Sequence, residues 1–225
     1  GTGNLTKKII EQKPKSLILI EKDQILSNNL KKELKEYDKL KFFNEDVLKF
    51  NLEKNTKRNS IIIGNLPYNI SSQILVKLIK FKKWLPEYKK LILMFQKEVA
   101  DKILAKNNTS DYGRLTILVA ARLKITDYFN VSPNSFYPIP KIKSTILVLE
   151  PIVNKNFKIR NLDNLEKVSH IFFSRKRKMI NKAFKKLFKN PFEVAKKINV
   201  NLNLRPSELT ENQYFKITEF FENQI

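Results

Sequence analysis

Asn65, Leu66, Pro67 and Tyr68 follow directly on the apolar run Ser60-Ile61-Ile62-Ile63-Gly64. A strand that ends in a carboxamide, a proline and a phenol has the groups to hold the amino edge of a planar base. The Asn65 side-chain oxygen and a nearby backbone carbonyl can accept the two amine hydrogens. Pro67 fixes φ and donates no hydrogen bond of its own. Tyr68 can stack on the face of the base. The plainer reading of the same four residues is a strand-to-helix turn that contains a proline.

A second set lies at the start of the chain, Gly1-Thr2-Gly3-Asn4-Leu5-Thr6, where a helix is expected to begin. Glu21 ends the strand that follows. Glycines at a tight turn let the backbone approach a nucleoside, and an acid after the second strand takes both ribose hydroxyls. Alone, this pattern suits a dehydrogenase equally well, or Glu21 is a solvated strand-end charge. Asp46 has two readings as well: an acceptor for an adenine amino group, or an ordinary loop acid. A glycine turn of this type follows a strand. None precedes Gly1, so the sequence is expected to start inside the motif.

The elements that must position these residues alternate. Leu17-Ile20, Leu40-Phe43, Ser60-Ile63 and Leu91-Phe95 predict buried strands. Between them, Ile25, Leu26, Leu30, Leu34 and Tyr37 keep helical spacing, as do Ile74, Leu75, Leu78 and Ile79 in a helix capped near Ser71. Val99 and Ile103 mark a further helix. Such alternation predicts a mostly parallel sheet covered by helices. Leu115-Ala121 fits strand or helix. Lys124-Val131 and Ser144-Glu150 predict late strands, joined through a proline-rich turn at Pro138 and Pro140. From about residue 155 the chain turns helical: Leu165, Val168, Ile171, Phe172, Met179, Ala183, Phe184 and Leu187 keep the period. Asp163 with Glu166 predicts one capping box and Thr210 with Gln213 another, the latter with a staple from Leu209 to Tyr214. Asn190-Pro191 predicts a helix start with proline at its first position.

The 225 residues carry 44 Lys+Arg against 22 Asp+Glu, a net charge of +22. Lysine far outnumbers arginine, as in an AT-rich coding sequence. The excess still makes a strong positive field, and a polyphosphate is its natural partner. An anionic membrane surface is the alternative, without an evident amphipathic anchor. No apolar stretch approaches the ~18 residues that span a bilayer. With 42% hydrophobic residues the chain can bury a core, and zero cysteines exclude disulfides and thiolate metal sites. A soluble, cytoplasmic protein without a metal is expected. Arg175, Lys176, Arg177 and Lys178, with Lys182, Lys185, Lys186 and Lys189, are expected on one helix. They form either a solvated face or a set of RNA-phosphate contacts. His170 is read as a packed or surface residue, and Phe172, Phe173 and the other tail aromatics as core rather than RNA platforms.

Taken together, these stretches resemble the KsgA family of ribosomal RNA adenine dimethyltransferases. The resemblance adds Gln96-Lys97-Glu98-Val99, Asp111-Tyr112-Gly113-Arg114-Leu115, Phe136-Tyr137-Pro138-Ile139-Pro140-Lys141-Ile142-Lys143-Ser144 and Phe172-Phe173-Ser174-Arg175-Lys176-Arg177-Lys178. It covers nearly the whole chain in the family's order. It implies a Rossmann-like α/β fold, a seven-stranded methyltransferase sheet whose first strand and first glycine are missing here. A methyltransferase domain over 1–154 and a small all-helical, RNA-contacting domain over 155–225 go with it. It implies S-adenosylmethionine against Gly1, Gly3, Glu21, Asp46 and Asn65. It places the target adenine against Asn65, Leu66, Pro67 and Tyr68, with Phe136 as a second ring. The implied activity is N6,N6-dimethylation of adenines in small-subunit rRNA within the pre-30S particle, by a monomer. A large-subunit methyltransferase of the macrolide-resistance type shares much of this pattern. A non-catalytic relative, such as an organellar transcription factor, is the reading from a different class.

Overall fold

The computed structural model describes residues 1–136, 139–154 and 156–224. The expected turn at Pro138, together with Tyr137, therefore lies outside the described residues, as do Lys155 and Ile225. The chain forms two compact units, 1–55 and 56–225.

The first unit runs α1 (Asn4–Glu11), β1 (Leu17–Ile20), α2 (Gln24–Glu33), β2 (Leu40–Phe43) and α3 (Leu52–Asn55). β1 and β2 pair in parallel, from Leu17 opposite Leu40 to Ile20 opposite Phe43. The intervening helix is the crossover that parallel pairing requires. Asp23 caps α2 by accepting from the Leu26 amide at 2.8 Å. Ser27 and Leu30 face inward from α2, but Ile25 is 72% exposed. Ile25 stands in the first turn on the far side of the stripe, so its place in the expected apolar face is corrected.

The second unit begins with β3 (Ser60–Asn65), α4 (Ser71–Ile79), β4 (Tyr88–Gln96), α5 (Lys97–Leu104) and α6 (Arg114–Ala120). It continues with β5 (Leu123–Val131), β6 (Ser144–Pro151), α7 (Leu162–Phe173), α8 (Asn181–Leu187), α9 (Pro191–Lys197) and α10 (Glu211–Glu222). Its sheet has the order β3-β4-β6-β5. β3 and β4 are parallel, whereas β6 runs antiparallel to both of its neighbours. The link from β5 to β6 carries only a short 3-10 turn at Pro133–Ser135. Without a crossover helix the two strands must form a hairpin, so the expectation of parallel order holds only for the earlier strands. Leu91, Leu93, Phe95, Leu147 and Leu149 are fully buried in the sheet, and Leu75, Leu78 and Ile79 of α4 are fully buried as well.

Several local expectations need correction. β3 is not a buried strand: Ile61 and Ile63 are 46% and 38% exposed, since an edge strand alternates its faces. The stretch Leu115-Ala121, open between strand and helix, falls in α6, which ends at Ala120. The residue before α4 is Ile70, and Ser71 lies inside the helix, donating back to the Tyr68 carbonyl at 3.1 Å. Asn161, not Asp163, caps α7 by accepting from the Asp163 amide. Asp163 and Glu166 both turn to Lys80 at the end of α4. The buried Glu222 at the end of α10 accepts from the Arg160 amide at 2.7 Å, the Asn161 amide at 3.0 Å and Asn164 Nδ2 at 2.9 Å. That carboxylate satisfies donors at the open end of α7 and complements its dipole. The capping box at Thr210 and Gln213 is present, with Leu209 and Tyr214 both fully buried. Proline stands at the first position of α9. The helical segment packs around Phe172, whose ring meets Phe184 and Tyr214 edge-on at 5.7 and 5.5 Å.

Candidate active-site residues

Gly3 precedes α1 with φ of 82°, and a Cβ there would lie 2.2 Å from Leu30 Cδ2. Both facts demand glycine. Glu21 follows β1, and its amide donates to the Phe43 carbonyl, tying it to the end of β2. The Glu21 carboxylate accepts from the Gly1 amino group and, at 2.9 Å, from the Asp23 amide. Burial works against its charge. The hydrogen bonds outweigh burial and hold the carboxyl below its ordinary range. Asn44 donates to the Glu21 and Lys22 carbonyls at 2.8 and 3.1 Å, clamping this turn. Asp46 accepts from the Leu48 amide and from Lys22 Nζ, both at 2.9 Å. These bonds, the Leu48 amide first, lower its pKa. The first unit therefore gathers Gly1, Gly3, Glu21 and Asp46 around the ends of β1 and β2, with two ionised carboxylates among them. Sequence reasoning missed Asn44, because its role depends on a pairing between strands that no local pattern announces.

Asn65 ends β3 opposite Met94 of β4. Its side chain is exposed, and among the described residues no group hydrogen-bonds its carboxamide. Pro67 is half of a turn: its carbonyl accepts from the Ile70 amide at 3.1 Å. This leaves the Leu66 carbonyl as the acceptor beside Asn65. Gly64 lets this loop fold back, since a Cβ there would lie 2.5 Å from Leu66 Cδ2. The Tyr68 hydroxyl lies 2.7 Å from Ser144 Oγ, at the first residue of β6. Ser144 is 1% exposed, so the phenol is anchored from below while its ring stays half-buried.

Register places the other ring's loop at the same end of the sheet. Ser144 pairs with Gln96, the last residue of β4, and with Val131, the last residue of β5. Phe136 lies five residues beyond Val131, its amide donating to the Pro133 carbonyl at the end of the 3-10 turn. Asn65, Tyr68 and the Phe136 loop thus all leave one end of the four-stranded sheet. In the sequence Gly64 and Ser144 stand only as parts of longer motifs. Their roles, relief of a close approach and a bond across 76 residues, appear only in the fold.

The basic segment is not helical throughout. α7 stops at Phe173, and Arg175–Lys178 form turns between α7 and α8. Cations just beyond a helix C-terminus are favoured by its dipole. All four are exposed, and Lys176 donates to the Ser110 carbonyl. Lys182, Lys185 and Lys186 lie on α8, and Met179, exposed, belongs to neither helix.

A fold of this kind with such residues defines a nucleic-acid methyltransferase. The family model for ribosomal RNA adenine dimethylase matches residues 1–223, and the chain belongs to that family. A ribosomal RNA small subunit methyltransferase A from Pelagibacter ubique is 43% identical over 229 residues, covering 99% of this chain and 84% of that protein. The protein of the same name from Ehrlichia chaffeensis is 35% identical, with 97% and 82% covered. Among solved structures, a dimethyladenosine transferase from Plasmodium falciparum superposes with a TM-score of 0.81 at 29% identity, covering 100% of this chain and 88% of that one. The 23S rRNA methyltransferase ErmE shares the fold, with a TM-score of 0.69 at 20% identity over 99% and 88% of the two chains.

Proposed function

We propose that this chain transfers methyl groups from S-adenosylmethionine to the N6 amines of adenines in 16S rRNA. The product is N6,N6-dimethyladenosine, formed on the maturing small subunit by a cytoplasmic monomer. The observation that carries the reading is the loop after β3, where an Asn65 carboxamide with no hydrogen-bond partner among the described residues adjoins a ring anchored through Ser144. Small-subunit rather than large-subunit rRNA is favoured by the family and by the names of the relatives at 35–43% identity.

The donor set of the first unit fits the cofactor. Glu21 and Asp46 have carboxyls held ionised, hence acceptor-only, and each keeps lone pairs spare for ribose hydroxyls or an adenine amine. Gly1 and Gly3 supply backbone without side chains. S-adenosylmethionine brings an electrophilic methyl group on a sulfonium.

The exocyclic nitrogen of adenine is a poor nucleophile, because its lone pair is delocalised into the ring. Asn65 Oδ1 accepts one amine hydrogen and the Leu66 carbonyl the other, which turns the lone pair out of conjugation. Pro67 fixes the loop through its own turn. Tyr68 and Phe136 replace the stacking that the extruded base gives up, at ~1–3 kcal/mol per base. Positioning and electrostatics supply the rate, and no side chain acts as a nucleophile. Arg175, Lys176, Arg177, Lys178 and Lys182, within the helical segment from 155 onward, hold rRNA phosphates.

Asn65→Ala is expected to lower methyl transfer by about 10²–10³-fold or more, the scale of losing one preorganised polar group. Cofactor affinity should change little. Incorporation of labelled methyl groups into unmethylated small subunits measures the first, and calorimetric titration the second. Normal turnover by Asn65→Ala removes the assignment.

A further inference from the structure

Phe192, in the first turn of α9, is 70% exposed, while Phe188 just before it is 3% exposed. The ring stands in an open depression of about 540 Å³ lined by Lys185, Phe188, Lys189, Asn190 and Glu193. A lone exposed apolar side chain is ordinary, but its setting here is not. From Lys182 to Lys197 there are six lysines and a single acid, Glu193. The Glu193 carboxylate accepts from Asn190 Nδ2 at 3.4 Å. Among the described residues neither Lys185 nor Lys189 meets a carboxylate.

We propose that this corner of α8 and α9 is a second RNA contact, where an unpaired base stacks on Phe192 and Lys185 and Lys189 hold the flanking phosphates. An exposed ring between unpaired cations is the arrangement that single-stranded nucleic acid uses, with stacking on the face and phosphates at the rim. The contact is separate from the Arg175–Lys178 cluster. On α8, Lys182 and Lys186 line a small pocket with Arg175 and Met179, whereas Lys185 faces the Phe192 depression. The choice of RNA over another polyanion rests on the function proposed above.

The ring is exposed, so its replacement leaves the core untouched. Phe192→Trp introduces a reporter into a chain whose sole native tryptophan is Trp84. A ten-nucleotide single-stranded RNA of mixed sequence is expected to quench Phe192→Trp well beyond the wild type, and to do so equally in an Asn65→Ala background. Phe192→Ala should bind that RNA about 5- to 150-fold more weakly, the range for loss of one base stack. The double variant Lys185→Gln with Lys189→Gln should make the slope of log affinity against log salt shallower by about 1.4, two single-strand phosphates. Absence of quenching overturns the inference. So does equal quenching by the same RNA as a duplex, or by phosphatidylglycerol vesicles. A chain that binds this RNA at Phe192 yet transfers no methyl group leaves the inference standing and overturns the proposed function instead.

Discussion

Gly3 sits in the left-handed region at the mouth of α1, and the space a Cβ would need is filled by Leu30. Strain of this kind costs roughly 1–3 kcal/mol per residue. Gly3→Ala is accordingly expected to lower unfolding stability by that amount in denaturant titration. An unchanged midpoint would remove the constraint. At this scale much of the candidate site was legible from residue types. An amide, a proline and a phenol in a row have a definite donor and acceptor inventory, and Gly3 and Glu21 are read from turn and strand-end chemistry. The supports were not legible. Asn44, Ser144 and the Leu66 contact of Gly64 act through neighbours that only the fold brings near.

Lys80 joins two elements. It closes α4 and reaches Asp163 and Glu166 in the first turns of α7. Burial disfavours its charge, but the hydrogen bonds it donates to Asp163 and Glu166 outweigh this, and its pKa is raised. Asp163 is lowered, chiefly by Lys80. The contribution of Asp163 is present above the ordinary aspartate range and is lost as pH falls through its depressed value. The contribution of Lys80 is present below the ordinary lysine range and is lost as pH rises through its raised value. Asp163 is largely exposed, so the pair is worth about 0.2–1 kcal/mol. Lys80→Met should lower neutral-pH stability by that amount and flatten the profile at both extremes. A mutant profile that only shifts, keeping its shape, argues against the link. Strands were readable here because their apolar runs are short and bounded by turns. Helix boundaries were not, since long-range partners chose them: Lys80 took the acids that sequence assigned to a cap, and Asn161 took the cap. The run Arg175–Lys178 likewise has helical composition, but α7 stops before it.

Across the whole molecule the excess of +22 sets how it meets a polyanion. Most acids with a described partner sit against lysines on the surface, which leaves many cations unneutralised. Affinity for rRNA should fall with salt at about 0.7–0.9 log units per phosphate contacted. Replacing Arg175, Arg177, Lys178 and Lys182 with glutamine is expected to reduce that slope by about three, as read by filter binding across a salt series. A slope unaltered by the four replacements would exclude them from the interface.

The bonds from Glu222 to Arg160 and Asn161 span 62 and 61 residues. During translation, α7 emerges well before the carboxylate that closes its leading end. Until α10 arrives, the nascent segment carries bare amide donors and an unlatched helix. A chain cut short before α10 would lack this carboxylate and leave the Arg160 and Asn161 amides to solvent.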